Sequence, residues 1–440
     1  MIHAISGPED LKKANELLGC SLPYDDDLSP LAQPLSIGGR TAANRVVYQP
    51  MEGCDGTREG SPGELTFRRY RRFAAGGPGI VWLEAIAVRP EGRANPRQLY
   101  LTERNLGDFS RMIREIKEVC QKENGFEPLV FAQLTHSGRY SRPNGVPEPL
   151  IAYNNPLFEK DRPIAPERIL SDDALERIGE SLAHSAALAQ KAGFDGADIK
   201  CCHRYLLSEL LSAYLRPGKY GGCYENRTRL LRESVRGAAA ACSGDFLIVA
   251  RLNAYDGFPY PYGFGVKEGE GIAPDWTEAE RLVGDLAADG VKLVDVTMGN
   301  PYVNPHVNRP YNHGSYPPPE EPLQGVNRML TGTAAVQRAN PAVPLVASGL
   351  SWLGAASANV AAACVRRGWF AMAGYGRMAL ADPQVARTVA SGRRPEPGEC
   401  CIACGKCTEI MRTPGGTPGC VVRDREVYLP IYRKQCLHIG

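Results

Sequence analysis

Lys200, His203 and Tyr205 fall within six residues of one another, directly after an apolar run that includes Ala197 and Ile199. An ammonium, an imidazole and a phenol set this close supply positive charge, hydrogen-bond donors and a proton source. A strand end with ordinary solvated polar groups has the same composition, so the placement of this strand must decide between the two readings. The second chemical signal is Cys401-Ile-Ala-Cys404-Gly-Lys-Cys407, with Cys420 after a further twelve residues. Three cysteines at intervals of three plus a remote fourth suit a [4Fe–4S] cube, in which each iron takes one thiolate. A structural zinc site more often shows two separated Cys-x-x-Cys pairs, so the spacing favours a cluster over zinc. Cys400 and Cys436 read as spare thiols.

Apolar runs of strand length occur at 45–51, 79–88, 128–134, 195–199, 246–252, 292–298, 344–348 and 369–374. None shows strict polar alternation, as expected of parallel strands buried on both faces. Helical patterns at 65–75, 106–122, 172–192, 225–242, 278–289, 324–338 and 355–367 lie between or after them. The third pattern puts Leu175, Ile178, Leu182, Ala186 and Ala189 on one face after a Ser171 cap. Thr277, three residues before Glu280, has the spacing of a capping box. Eight strand signals, nearly all followed by a helix signal, predict an α/β fold of the (β/α)8 TIM barrel type. An open doubly wound sheet predicts a glycine-rich fingerprint after the first strand, and Gln49-Pro50-Met51-Glu52-Gly53-Cys54 is not one.

In such barrels the chemistry sits at the carboxyl ends of the strands. That places Lys200, His203 and Tyr205 on the reactive rim, with Gln133 and His136 after strand three, Arg251 in strand five and Arg377 after strand eight. Ser348-Gly349 and Gly374-Tyr375-Gly376-Arg377 end strands seven and eight. Glycine backbone and an arginine fork there would suit a phosphate, although tight turns also need glycine. Two long proline-rich excursions interrupt the beat, at 139–170 and 300–323. The second carries seven prolines with Tyr302, His306, Tyr311 and His313, and is expected to help decide the substrate.

The chain divides into an N-terminal arm (1–40), the barrel (41–395) and a cysteine-bearing segment (396–440). Its 440 residues are 43% hydrophobic and 23% charged, the balance of a soluble globular protein. A net charge of +2 makes no case for nucleic acid or an anionic membrane surface. No apolar run is long enough to span a bilayer, and no export signal opens the sequence. Fourteen cysteines without export argue for thiols and metal ligands, and for a cytoplasmic location.

Several motifs resemble one family closely. They are Asn44-Arg45-Val-Val-Tyr-Gln-Pro50-Met51, Glu84-Ala85-Ile-Ala-Val-Arg-Pro-Glu-Gly92-Arg93, Gln133-Leu-Thr-His136-Ser-Gly138-Arg139, His203-Arg-Tyr205-Leu-Leu, Tyr220-Gly-Gly-Cys-Tyr-Glu225-Asn226-Arg227 and Gly376-Arg377-Met-Ala-Leu-Ala-Asp382-Pro383. Together they resemble the old yellow enzyme family of flavin oxidoreductases, over residues 30–425. The cysteine tail is similar to that of the iron–sulfur branch containing 2,4-dienoyl-CoA reductase and trimethylamine dehydrogenase, with spacing nearer the latter. The resemblance implies FMN on the barrel mouth. Pro50, Met51 and the Ala85 backbone would line its ring and Gln133 its pyrimidine edge. Arg251 would put positive charge near N1 and O2, and Ser348, Gly349, Gly376 and Arg377 would hold the phosphate. Lys200 and His203 would grip a substrate carbonyl and Tyr205 would protonate the carbon beside it.

The implied activity is ene-reduction: hydride from reduced FMN reaches a C=C bond conjugated to a carbonyl, and the cluster relays electrons. Two departures bear on it. Lys200 stands where relatives have histidine or tyrosine, which suits an enolate or a carboxylate-bearing substrate. Glu52 stands where trimethylamine dehydrogenase anchors flavin through cysteine, with Cys54 out of register, so FMN is expected to be non-covalent. The alternatives are an amine dehydrogenase of the trimethylamine dehydrogenase type, against which Ala85 and Glu52 speak, and a non-redox barrel with a structural four-cysteine metal site. The electron source is NAD(P)H or a ferredoxin-like protein partner. The substrate is a small molecule, and a homo-oligomeric state stays open.

Overall fold

The computed structural model describes residues 5–438, so the first four residues of the arm and the last two of the cysteine-bearing segment lie outside it. Eight parallel strands close into a barrel in chain order. They are β1 (Val46–Tyr48), β2 (Ile80–Ala87), β3 (Leu129–Thr135), β4 (Gly196–Ile199), β5 (Leu247–Tyr255), β6 (Val294–Met298), β7 (Leu345–Ala347) and β8 (Met372–Tyr375). The ring closes where Tyr375 of β8 pairs with Tyr48 of β1. Every residue of these strands is buried, which is why the sequence shows apolar runs with no alternation.

The major helices follow as α1 (Glu64–Ala75), α2 (Leu106–Asn124), α3 (Asp172–Lys191), α4 (Tyr224–Ala241), α5 (Thr277–Ala288), α6 (Pro322–Ala339) and α7 (Ser357–Arg366). On α3 the expected face is buried, and Ser171 Oγ accepts the Ala174 N–H at 3.2 Å. The Thr277 capping box does not form. Thr277 is already the first helical residue, and its N–H goes to Asp275 Oδ1 (3.0 Å), while the Glu280 N–H takes the Trp276 carbonyl. Both N–H groups a capping box would use are thus already taken, one by the Asp275 carboxylate and one by the Trp276 carbonyl.

The arm is more ordered than its composition suggests. It forms a helix (Pro8–Leu18), and Leu11, Leu22, Leu28 and Leu31 enter the core between barrel and helices. A hairpin of Leu35–Ile37 and Arg40–Ala42 plugs the amino-terminal end of the barrel. There Ile37 and Ala42 pack with Val47, Trp82, Phe131, Leu247, Val346 and Met372. A Cβ at Gly38 would stand 2.8 Å from Leu247, and its φ of +55° would strain any other residue. That end is closed, and the carboxyl end is left for chemistry.

The cysteine-bearing segment folds back over the carboxyl end. Its helix Arg425–Cys436 packs Tyr428 and Tyr432 against Ile410 and Val421. Asp424 accepts a fork from Arg68 of α1 (2.7 and 3.0 Å) and also pairs with Arg72. Thr417 Oγ1 donates to Asp55 (2.6 Å), and Arg69 donates to the Pro418 carbonyl (3.3 Å). The segment is thus tied to the loop after β1 and to α1, beside the barrel mouth.

Candidate active site

A cavity opens at the carboxyl end of the barrel. Pro50, Met51, Gln133, Lys200, His203, Arg251, Ser348, Gly349, Gly376 and Arg377 all line it. Strand ends explain the convergence: β1, β3, β4, β5, β7 and β8 each deliver one or two of these side chains as they leave the sheet. Two expected residues stand apart. Ala85 is buried in β2, its carbonyl taking a hydrogen bond from Gln98 Nε2 (3.2 Å), and it does not line the cavity. Tyr205 lies behind the wall, with its hydroxyl 2.7 Å from Glu52 Oε2 and 2.8 Å from that of Tyr302.

The polar floor is held by two buried carboxylates. Asp198 accepts from Trp82 Nε1 (3.1 Å), Gln133 Nε2 (2.7 Å) and the Arg251 N–H (2.7 Å). Burial pushes its pKa up to about 7, against these donors. Because Asp198 claims the Gln133 amide nitrogen, the amide oxygen is left to accept an N–H from the cavity. Asp295 accepts from Gln49 Nε2 (2.7 Å) and faces Arg251 Nε at 2.9 Å. That pair is close enough for charge attraction but not aligned for a hydrogen bond, so Arg251 keeps an unpartnered N–H. Arg251 Nη1 donates to the Pro50 carbonyl (3.0 Å), which fixes the guanidinium under the cavity.

Lys200 rests on the Tyr205 ring, 3.8 Å from its centroid. Burial pushes its ammonium pKa down, and Glu52 opposes that shift. His203 is neutral, since burial together with Arg251 and Lys200 holds its pKa well below the usual value, and its Nε2 has no protein partner. His203 and Arg204 both occupy the left-handed region, with φ +66° and +58°. Two such residues in succession are costly, and the buried Arg204–Asp256 pair (2.8 Å) holds the turn. The strain is what brings the imidazole into the cavity.

At the far side, Gly349 (φ +99°) and Gly376 bracket Arg377, and a Cβ on Gly376 would lie 3.0 Å from Met51 Sδ. Arg377 donates one N–H to the Pro310 carbonyl (2.9 Å) and keeps its other donors for the cavity. Arg309, from the 300–323 excursion, also enters the cavity and donates to Thr408 Oγ1 (2.7 Å). Burial and the neighbouring Arg377 push its pKa down to about 10. Two guanidiniums crowded like this call for an anion, and a phosphate monoester at Ser348, Gly349 and Gly376 answers that need. The donors, the acceptor left on Gln133 and the glycine cradle fit FMN.

Sequence reading missed Arg309, Tyr140, Met411 and Arg412 as members of the site. Tyr140 stacks on Tyr302 (3.9 Å, 18°), and Met411 and Arg412 wall the cavity from the cysteine-bearing segment. Tyr140 and Arg309 lie in the long excursions and Met411 and Arg412 in the cysteine-bearing segment, stretches that carry no strand or helix periodicity to place them on the rim.

Cys401, Cys404, Cys407 and Cys420 line a second cavity together with Arg377 and Arg423. Cys407 and Arg377 belong to both cavities, so the two adjoin. The Ala403 N–H points at Cys401 Sγ (3.4 Å) and the Arg423 N–H at Cys420 Sγ (3.3 Å), contacts that favour thiolates. Burial raises the Cys401 and Cys407 thiol pKa values, and Arg377 opposes the rise at both. Among the described residues, no three His, Cys, Asp or Glu side chains are gathered to hold one metal ion. The side chains present are soft sulfur donors facing one cavity, with Arg377 and Arg423 beside them, and not a closed metal site.

The family described as NADH:flavin oxidoreductase / NADH oxidase matches residues 30–396. An NADPH dehydrogenase of Clostridium acetobutylicum is 28% identical over 260 residues, covering 58% of this chain and 70% of that protein. Among solved structures, a 2-naphthoyl-CoA reductase complexed with 2-naphthoyl-CoA superposes with a TM-score of 0.73 at 21% identity, over 90% of this chain. Histamine dehydrogenase from Rhizobium sp. 4-9 superposes with a TM-score of 0.68 at 20% identity, again over 90% of this chain. The chain spans 57% and 52% of those two proteins' lengths. At these identities the likeness is one of fold. No described helix is long and apolar enough to cross a membrane.

Proposed function

The chain belongs to the NADH:flavin oxidoreductase / NADH oxidase family, and from that premise we propose that it is an FMN-dependent ene-reductase with an iron–sulfur relay. Its class is that of a flavin-dependent oxidoreductase, in a family that uses FMN and NAD(P)H. When bound, FMN supplies the hydride for the carbon β to a carbonyl. Lys200 and His203 hold the carbonyl oxygen and stabilise the charge that develops there, an effect worth several kcal/mol. Arg251 would place a positive charge near the flavin's pyrimidine edge, and Gln133 would orient that edge. Tyr205 stands at the centre of the group that provides the proton for the α-carbon. One observation carries this reading: an ammonium and an unpartnered imidazole nitrogen meet in the cavity that the flavin-fitting residues line.

Oxidation of an amine is the second reading. Tyr302 and Glu52, an aromatic ring and a carboxyl in the same cavity, favour it, whereas Lys200, Arg251 and Arg309 there disfavour a cationic substrate. The test is anaerobic turnover with enones and amines. His203→Ala and Tyr205→Phe are each expected to slow enone reduction about a hundredfold. Wild-type rates in both variants, or bleaching of the flavin by amines with no enone reduction, would overturn the reading.

The relay is expected to hold about four irons and four labile sulfides per anaerobically prepared chain. Cys407 is the ligand shared by the two cavities, and Cys407→Ser is expected to lose most of that iron. A single zinc per chain, or unchanged iron in the variant, would count against the cluster.

A further inference from the structure

Three side chains link the outside of the molecule to the cavity wall through two short hydrogen bonds. Tyr302 is 36% exposed at the mouth, and its hydroxyl lies 2.8 Å from that of Tyr205, which is 1% exposed. The Tyr205 hydroxyl lies 2.7 Å from Glu52 Oε2. Oε2 only accepts, whether the carboxyl is ionised or carries its proton on Oε1, so Tyr205 is the donor to it. The Tyr205 oxygen then accepts, which makes Tyr302 the donor in the outer bond. Both protons therefore point inward, from solvent towards Glu52.

The inner end of this line is open. Glu52 lines the cavity, and its second oxygen, Oε1, is buried with no protein partner. The outer end is fixed. The Tyr302 ring stacks on Tyr140, whose hydroxyl takes a hydrogen bond from Asn300 Nδ2 (2.6 Å), and the Arg412 guanidinium covers the ring at 5.3 Å. Tyr205, by contrast, is not among the side chains lining the cavity, although its hydroxyl touches two that are, Glu52 and Tyr302.

We propose that Glu52 is the acid that protonates the substrate and that Tyr302 and Tyr205 form the conduit that reloads it. This rests on the ene-reductase reading and changes it at one point: Tyr205 passes the proton on instead of delivering it. The proton balance is simple. A C–H bond forms at the α-carbon as the Glu52 O–H breaks. In the same concerted shift Glu52 Oε2 takes the Tyr205 proton and Tyr205 takes that of Tyr302, and water at the mouth then reprotonates Tyr302. One proton enters per turnover and no electron moves along the line.

The test is the oxidation of the pre-reduced, FMN-loaded protein by 2-cyclohexenone, followed by stopped flow in H2O and D2O. Glu52→Gln is expected to slow that step about a hundredfold, with Glu52→Asp recovering part of the rate. Tyr302→Phe is expected to slow it about tenfold and to turn a curved dependence on deuterium fraction into a linear one, since fewer protons then move together. The FMN dissociation constant, read by flavin fluorescence, should stay within about twofold in all three variants. A wild-type rate in Glu52→Gln, or an unaltered deuterium dependence in Tyr302→Phe, would overturn the proposal and leave ene-reduction standing. So would a Glu52→Gln variant that loses FMN with no change in the oxidation step, because Glu52 would then serve the cofactor. A wild-type protein whose reduced flavin no enone oxidises would remove ene-reduction itself, and this line with it.

Discussion

Arg69→Met is expected to destabilise the protein by about 3–5 kcal/mol, measured by urea denaturation at neutral pH. Arg69 is buried and donates a fork to Asp55 (2.7 and 2.9 Å) and a further bond to Glu84 (2.5 Å). Methionine fills most of the volume, but it leaves two carboxylates in the interior with no cation between them. Glu84 already lacks a partner for Oε2. It cannot move away either, because Gly53 packs against it so closely that a Cβ there would overlap the carboxylate. The effect should also reach the site. Arg69 holds the Pro418 carbonyl, and Pro418 walls the cavity, so the cysteine-bearing segment should loosen and its cysteines react faster with thiol reagents.

The pH dependence of this variant follows from two carboxylates with opposite shifts. In the native protein burial raises the Glu84 pKa to about 7, although Arg69 opposes it. The folded chain thus holds an extra proton between the ordinary carboxylate range and about 7. This residue's contribution to stability declines as pH rises through that window. Without Arg69 the Glu84 pKa moves higher still, so the variant suffers most above pH 7. Asp55 has its pKa lowered by Arg69 in spite of burial. Its contribution is present above the ordinary aspartate pKa and is lost as pH falls through the lowered one. Both terms make the gap between native protein and variant widest above about pH 7 and narrower towards pH 5. A gap independent of pH would mean that packing, not charge, sets the cost.

The barrel was legible because its strands are buried on both faces. The run at 195–199, for example, is the strand Gly196–Ile199, and Lys200 and His203 fall on the rim because they follow it. Once the strand ends were placed, the rim followed for Gln133, Arg251, Ser348 and Arg377. What failed to show were contacts set by chain that has no period. The excursion at 300–323 folds inward to bring Tyr302 and Arg309 to the cavity, and nothing in its prolines says which way it turns. Ala85 was placed at the cofactor through its backbone by its motif, and here its carbonyl is taken by Gln98, a contact that no local pattern announces. Tyr205 lies against Lys200, and its hydroxyl meets Tyr302 of the 300–323 excursion, a contact that the segment's own spacing does not announce.

Arg377→Ala is expected to weaken FMN binding by roughly a hundredfold or more, since a forked, charge-assisted contact with phosphate is worth about 3 kcal/mol. The loss should be specific to the phosphate. Riboflavin has the same ring system and no phosphate, so its weaker binding should be nearly the same in native protein and variant. Arg377→Lys keeps the charge but not the fork, and should fall between, about tenfold weaker than native. Arg309 stands ready to limit the damage. Its own pKa is pushed down in part by Arg377, so removing one guanidinium relieves the other and leaves it freer to meet the phosphate. For that reason the double variant Arg309→Ala with Arg377→Ala should lose more than the two single losses added together. Equal losses for FMN and riboflavin would show that Arg377 acts only through the Pro310 carbonyl and the fold of the excursion, and the phosphate would then have to be sought elsewhere on the rim.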